Sequence, residues 1–286
     1  MRDERQNVHQ LPRSEGEAKG DRKGELKGDK VGEPEATPAP RRRGIYLAPN
    51  LITTMALFAG FFAIVAAVNN NFLGAALAIF AAMFADTLDG RVARWTKTES
   101  DFGAQYDSLS DMVAFGVAPA FVMFFWGLST LGQIGWVASF VYMACAALRL
   151  ARFNTSHDNS FFQGLASPSA AAIIASAVWL WHDFDLGKPT PIDAGVGASI
   201  TILTGVLMVS NFSYYSPKLL NIRDRVPFLA LVAVVLGVSV ILTEPPLVLL
   251  ILFTGYALSG PLRRLWESSR PVTGSGNLKD NDDSNS

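Results

Sequence analysis

Cysteine is nearly absent. Cys145 is the only one in 286 residues, so no intrachain disulfide can form and no thiolate metal cluster exists. Histidine is scarce, with three in the chain. His157 and His182 stand alone near the ends of apolar stretches and read as polar surface residues. No Ser/His/Asp or Cys/His arrangement is present, so no covalent intermediate on an activated serine or cysteine is expected. The formal net charge of −1 singles out no partner, and no nucleic-acid partner is expected. Phe, Trp and Tyr are missing from residues 1–43, which hold 11 Lys/Arg and 9 Asp/Glu. A segment of that composition cannot bury enough apolar area to repay its ordering entropy, so 1–43 reads as a disordered tail. Residues 268–286 are polar and read as a second one. The first apolar stretch starts only near Ala48, too late for the apolar region of a secretory signal.

What the chain has in abundance is apolar sequence. Hydrophobic residues make up 50% of it, gathered in long blocks between Ala48 and Gly260. The block lengths approach the roughly 20 residues needed to cross a bilayer. Eight spans are expected, at about 48–68, 72–92, 105–127, 133–153, 165–182, 195–213, 227–243 and 245–260. They should be helices, because lipid cannot satisfy free backbone groups. The fold class is therefore an all-α, polytopic transmembrane bundle occupying residues 44–267. Glu244-Pro245-Pro246 separates the last two short spans, which could form a hairpin that does not fully cross.

Basic residues fall in alternate loops. Arg41, Arg42 and Arg43 precede the first span; Arg91, Arg94 and Lys97 follow the second; Arg149 and Arg152 end the fourth. Lys218, Arg223 and Arg225 follow the sixth, and Arg263, Arg264 and Arg270 the eighth, while the intervening loops hold only Lys188. This places both termini in the cytoplasm. Trp126, Trp136, Trp179 and Trp181 fall near span ends, as interfacial aromatics do. The sequons at Asn154 and Asn211 then lie on the cytoplasmic side and read as chance.

The join between spans two and three is acidic. Asp86 and Asp89 are three apart, and Asp107 and Asp111 four apart, so each pair shares a helical face. The connection is short enough to make the two helices antiparallel neighbours, and four carboxylates can then converge at the cytoplasmic edge. Each charged carboxylate in a membrane costs roughly 2.5–3.5 kcal/mol on insertion scales, so the cluster calls for something positive. An all-oxygen donor set suits Mg²⁺ or Mn²⁺, and Ca²⁺ less specifically. Two ions would balance four carboxylates. Metals held in this way bind phosphates and stabilise an in-line displacement. Gly90 and Gly103 would let a bulky ligand approach the backbone, although helix packing also explains a glycine in a membrane. Glu99 and Asp101 read as solvated loop residues.

Residues 86–111 satisfy the pattern D-x-x-D-G-x-x-A-R-x8-G-x3-D-x3-D at every fixed position. This resembles the CDP-alcohol phosphotransferase family, and Pro49-Asn50-Leu51-Ile52-Thr53 looks like the start of that family's first helix. The resemblance implies a helical membrane fold, a homodimer and two divalent metals per subunit, Mg²⁺ or Mn²⁺. It implies Asp86, Asp89, Asp107 and Asp111 as the metal site, with Asp111 also the general base. It implies Asn50, Thr53, Gly90, Ala93, Arg94 and Gly103 at the CDP-lipid site. Within the family, Leu148 to Asn154, Gly164 to Ala172 and Tyr214 to Lys218 are most similar to phosphatidylserine synthases. Those enzymes usually show Pro where Ala166 stands and Ala where Ser169 stands. The resemblance spans about residues 44–225.

The expected reaction is CDP-diacylglycerol plus L-serine giving phosphatidylserine and CMP. Arg94 would help neutralise phosphate, and Arg149, Arg152 and Ser167 are candidates for binding the acceptor or a phosphate. Positive-inside anchoring explains the two arginines as well, and helix packing explains Ser167 and Ser169. Glycerol 3-phosphate, an inositol phosphate or choline could replace serine within the same family. A cation transporter is a reading from another class. It predicts acidic residues near mid-membrane on several spans, whereas these four sit at one edge.

Overall fold

The computed structural model describes residues 47–98, 100–155, 164–212, 214 and 228–268. The expected tails, His157 and the basic stretch at Lys218, Arg223 and Arg225 lie outside the described residues, apart from Ser268.

Local sequence sets the helix ends. Helix α1 (Leu47–Val68) and α2 (Phe72–Thr96) are joined by three asparagines. Asn70 adopts a left-handed φ of 60°, and the Asn71 side chain caps α2 by accepting from the Gly74 N–H at 2.9 Å. At its other end α2 stops where Lys97 turns left-handed, its N–H donating back to the Ala93 and Arg94 carbonyls. Ser100 caps α3 (Asp101–Asp111), accepting from the Gly103 N–H at 3.1 Å.

Directly after Asp111 the helix widens into a π segment, Met112–Val117, before resuming as α4 (Ala118–Trp126). The three pieces form one continuous rod, 101–126. Tyr142 is fully buried and its hydroxyl donates to the Phe115 carbonyl in the π segment at 3.0 Å. Gly60 permits the close approach of α1 to this segment, since a Cβ there would lie 2.7 Å from the Ala114 Cα.

The chain continues through a 3₁₀ turn, Leu128–Leu131, to α5 (Gln133–Thr155), α6 (Ser167–Asp183), α7 (Pro191–Val209), α8 (Phe228–Thr243) and α9 (Pro245–Ser268). Helix α1 packs along α2, α5 against α7, and α6 against both α2 and α9. The core is rich in alanine: Ala63, Ala67, Ala75, Ala76, Ala82, Ala114, Ala170 and Ala171 are all fully buried. Small side chains are what bring helices together in lipid, where no hydrophobic force drives them. Gly164, at φ 84°, starts the α6 strap: its N–H donates to the Phe212 carbonyl at 2.9 Å, and a Cβ would collide with the Met208 carbonyl. All the described helices belong to one compact unit.

Among the described residues, eight rods appear where eight spans are expected, with differences in length. Among the described residues, six are long and apolar enough to cross a membrane. Helix α6 at 17 residues and α8 at 16 are shorter. Helix α6 is enclosed by its neighbours, so its sequence is not matched to lipid. The expected 195–213 span begins instead at Pro191, because Thr190 and Asp193 form a capping box with Pro191 in the first turn. Helix α9 runs on past Gly260 to Ser268, and its Pro245–Arg264 portion can cross.

Candidate active site

The last turns of α2 and the length of α3 carry the site. Asp86 and Asp89 project from α2, and Asp107 and Asp111 from α3. One carboxylate oxygen from each of Asp86, Asp89 and Asp107 lies within 4.8 Å of the others. Asp111 meets Asp86 side chain to side chain. Four acidic groups from two helices therefore form one cluster, as the spacing requires.

Asp89 is the least exposed of them to solvent, at 5%, and its Oδ2 accepts from the Thr53 hydroxyl at 2.8 Å. Thr53 is itself buried on α1, and its backbone carbonyl accepts from Ser110 Oγ at 3.1 Å. Helix α1 is thus tied to both aspartate-bearing helices at the level of the cluster. Three converging carboxylates, oxygen donors without nitrogen or sulfur, fit a hard divalent cation. The Thr53 hydroxyl orients Asp89 from behind, as outer-shell donors orient metal ligands.

A cavity of about 450 Å³ opens beside the cluster. Asn50, Thr53, Gly90, Ala93 and Gly103 line it with Asp89 and Asp107. A Cβ placed at Gly90 would meet nothing within 4 Å, so its open face is room for a ligand. Gly103 is closer to its surroundings: a Cβ there would stand 3.2 Å from Ser100 Oγ and 3.6 Å from Asn50 Oδ1. Arg94 is not among the lining residues. Its Nε donates to the Gly90 carbonyl one turn back, at 2.9 Å, which holds it along its own helix.

The α5 arginines separate. Arg149 lies beside Asp111, interacting with it electrostatically, and its guanidinium donates to Ser167 Oγ at 2.7 Å. Its buried Nε has no protein partner. Arg152 donates instead to Asn211 Oδ1 at 2.9 Å. Arg149 and Ser167 therefore form a second wall, on the Asp111 side of the cluster.

Sequence reasoning overlooked several residues. Asp101, read as a solvated loop residue, begins α3 and lines the cavity with Thr98 and Ser100. The S-x-x-G pattern at Ser100 is the local signal for this turn. Asn154, set aside as part of a chance sequon, exchanges hydrogen bonds with Ser108 at 3.1–3.2 Å and ties α5 to α3.

The sequence pattern of a family described as CDP-alcohol phosphatidyltransferase matches residues 46–212, which contain every element of this site. The chain belongs to the CDP-alcohol phosphatidyltransferase family. Curated relatives agree with that placement. A CDP-diacylglycerol–serine O-phosphatidyltransferase of Helicobacter pylori (strain ATCC 700392 / 26695) is 35% identical over 226 residues, covering 78% of this chain and 92% of the relative. Proteins with the same description are similar in Mycobacterium leprae (strain TN), 38% identical over 162 residues covering 53% of this chain and 54% of the relative, and in Methanocaldococcus jannaschii, 37% over 143 residues covering 50% and 63%. As a CDP-alcohol phosphatidyltransferase with six candidate membrane-crossing helices, the chain is an integral membrane protein.

Proposed function

We propose that this family member transfers the phosphatidyl group of CDP-diacylglycerol to the hydroxyl of L-serine and releases CMP. The observation that carries the reading is the juxtaposition at Asp111. On one side the aspartate cluster borders a cavity sized for a nucleotide head, and on the other stands a half-buried arginine. The described relatives support serine as acceptor.

Asp86, Asp89, Asp107 and Asp111 would hold two divalent ions, Mg²⁺ or Mn²⁺. Bound ions supply charge neutralisation for the pyrophosphate and the departing CMP. The chain's own residues do the rest. Gly90, Ala93 and Gly103 leave space along α2 and α3 for the CDP moiety, with Asn50 and Thr53 closing it from α1. Asp111 takes the proton from the serine hydroxyl as general base. The serine oxygen forms a bond to the phosphatidyl phosphorus, the bond from that phosphorus to the CMP oxygen breaks, and CMP leaves with the electron pair. Arg149, braced by Ser167, receives the serine carboxylate, for which its planar fork is suited. Arg152 donates to Asn211 Oδ1 and so ties α5 to the segment that follows α7.

The distribution of basic residues supports both termini and the site on the cytoplasmic side, with all eight rods crossing or entering the bilayer and residues 1–43 and 269–286 as tails. A homodimer accords with the family. The test is CMP release from purified protein given CDP-diacylglycerol, Mg²⁺ or Mn²⁺, and each acceptor separately. Release only with L-serine, abolished by EDTA, supports the assignment. Release with glycerol 3-phosphate or an inositol phosphate instead keeps the family and overturns the acceptor.

A further inference from the structure

A second cavity lined by polar groups is larger than the one beside the aspartates. A cavity of about 560 Å³ lies at the opposite end of the bundle. It sits where α2 begins, where α4 and α6 end, and in the α6–α7 loop. Asp86 on α2 and Asp111 on the α3–α4 rod stand 14 and 15 residues away from Phe72 and Trp126 respectively, two residues that line the cavity. At 1.5 Å per residue that separates the two sites by about 20 Å. They lie toward opposite ends of the bundle.

The lining has the chemistry of an interface pocket. Lys188 and Asp185 supply one charge of each sign, and neither is in an ion pair among the described residues. Ser129, Thr130 and His182 add hydrogen-bonding groups, and the Trp126 indole N–H is buried in the wall without a protein acceptor. The pocket is shaped by fixed backbone. Asp185 and Gly187 are both left-handed, at φ 46° and 72°, and Trp181 Nε1 pins the loop by donating to the Gly187 carbonyl at 2.8 Å.

A second, apolar groove adjoins it. Phe121, Phe124, Trp136 and Phe140 border a space of about 190 Å³ on the outer face of α4 and α5, with only Ser139 as a polar side chain. Phe125 joins the two spaces. It lines the polar cavity, and its ring contacts Phe124 at 5.5 Å and Phe121 at 6.1 Å between centroids. Phe121, Trp136 and Phe140 are all exposed on the lateral surface, where lipid tails would lie.

We infer that this end of the bundle binds a zwitterionic glycerophospholipid of the leaflet opposite the aspartates, its headgroup in the 560 Å³ cavity and an acyl chain in the groove along α4 and α5. Lys188 faces the phosphate and Asp185 the headgroup ammonium. The neighbouring exposed Phe184 and Leu186 enter the glycerol level of the same leaflet. The site is separate from the transferase chemistry and does not depend on the acceptor assigned above.

The full chain, purified in detergent and exposed to defined lipids, is examined by native mass spectrometry. Dioleoyl phosphatidylethanolamine should be retained about fivefold to tenfold more than dioleoyl phosphatidylglycerol, which lacks the ammonium. Lys188→Gln and Asp185→Asn should each erase that preference, the latter without backbone cost because asparagine tolerates a left-handed φ. Ser139→Phe, which fills the groove, should weaken retention of both lipids. CMP release should be unchanged in Lys188→Gln. Equal retention of the two lipids, or a preference untouched by both charge substitutions, would overturn the site. Retention of glycerophosphoethanolamine as strong as that of the whole lipid would overturn the lipid assignment.

Discussion

In the proposed reaction, Asp111 is the residue on which the chemistry turns. It belongs to the acidic cluster through Asp86 and meets the proposed acceptor side through Arg149. Asp111→Asn keeps the shape and removes the basicity. CMP release should fall by about 10²–10⁴-fold, the usual contribution of general base catalysis, while the protein stays folded. Behind the cluster, the Thr53 hydroxyl holds Asp89 at 2.8 Å. Thr53→Val should raise the Mg²⁺ or Mn²⁺ concentration needed for half-maximal activity by about 10–100-fold, as loss of an outer-shell partner does, and leave the maximal rate at saturating metal nearer normal. A titration of activity against metal reads this directly. Arg149→Lys should raise the serine KM more than the CDP-diacylglycerol KM, because an ammonium cannot present a planar fork. At this scale the sequence was highly legible. Eight fixed positions at set spacing put all four aspartates and the small residues of the cavity together. What it could not show was side-chain direction. Arg94 stands in the same motif, yet its Nε bonds to its own helix at Gly90. Spacing assigned Asp101 to a loop, and only the Ser100 cap makes it the first residue of α3.

Among the elements, the rod from Asp101 to Trp126 matters most, because it changes pitch immediately after Asp111. A π segment rotates everything beyond it relative to a regular helix, and such segments favour functional sites. Here it is held by Tyr142 at the Phe115 carbonyl and by Gly60 against Ala114. Gly60→Val places a branched side chain where even a Cβ would be 2.7 Å from the Ala114 Cα. Overpacking of this kind costs about 1–3 kcal/mol. The variant should show a lowered midpoint in detergent thermal unfolding, together with reduced CMP release. No local pattern announces the π segment, since it depends on contacts from α1 and α5. Helix existence was legible from apolar blocks, and helix limits were legible only where capping chemistry was read. Thr190-Pro191-Ile192-Asp193 is a capping signature that apolar counting passed over, which moved α7 by a turn.

For the molecule as a whole, the two ends of the bundle carry different chemistry. The aspartates sit at one end, and the polar cavity at Lys188 occupies the other. Both donor and product carry lipid tails, so the reaction belongs at a membrane surface with the head groups outside. Direct displacement by serine, without an enzyme-bound phosphatidyl group, should invert configuration at phosphorus. A chiral thiophosphate analogue of the donor would show inversion, and retention would require two successive displacements. The most direct test of the central claim is CMP release by the purified protein with CDP-diacylglycerol and divalent metal, acceptor by acceptor, in the parent chain and in Asp111→Asn. Release that needs L-serine and metal, and disappears in Asp111→Asn, is the expected result. Release with no acceptor dependence on serine, or undiminished in Asp111→Asn, would contradict the account.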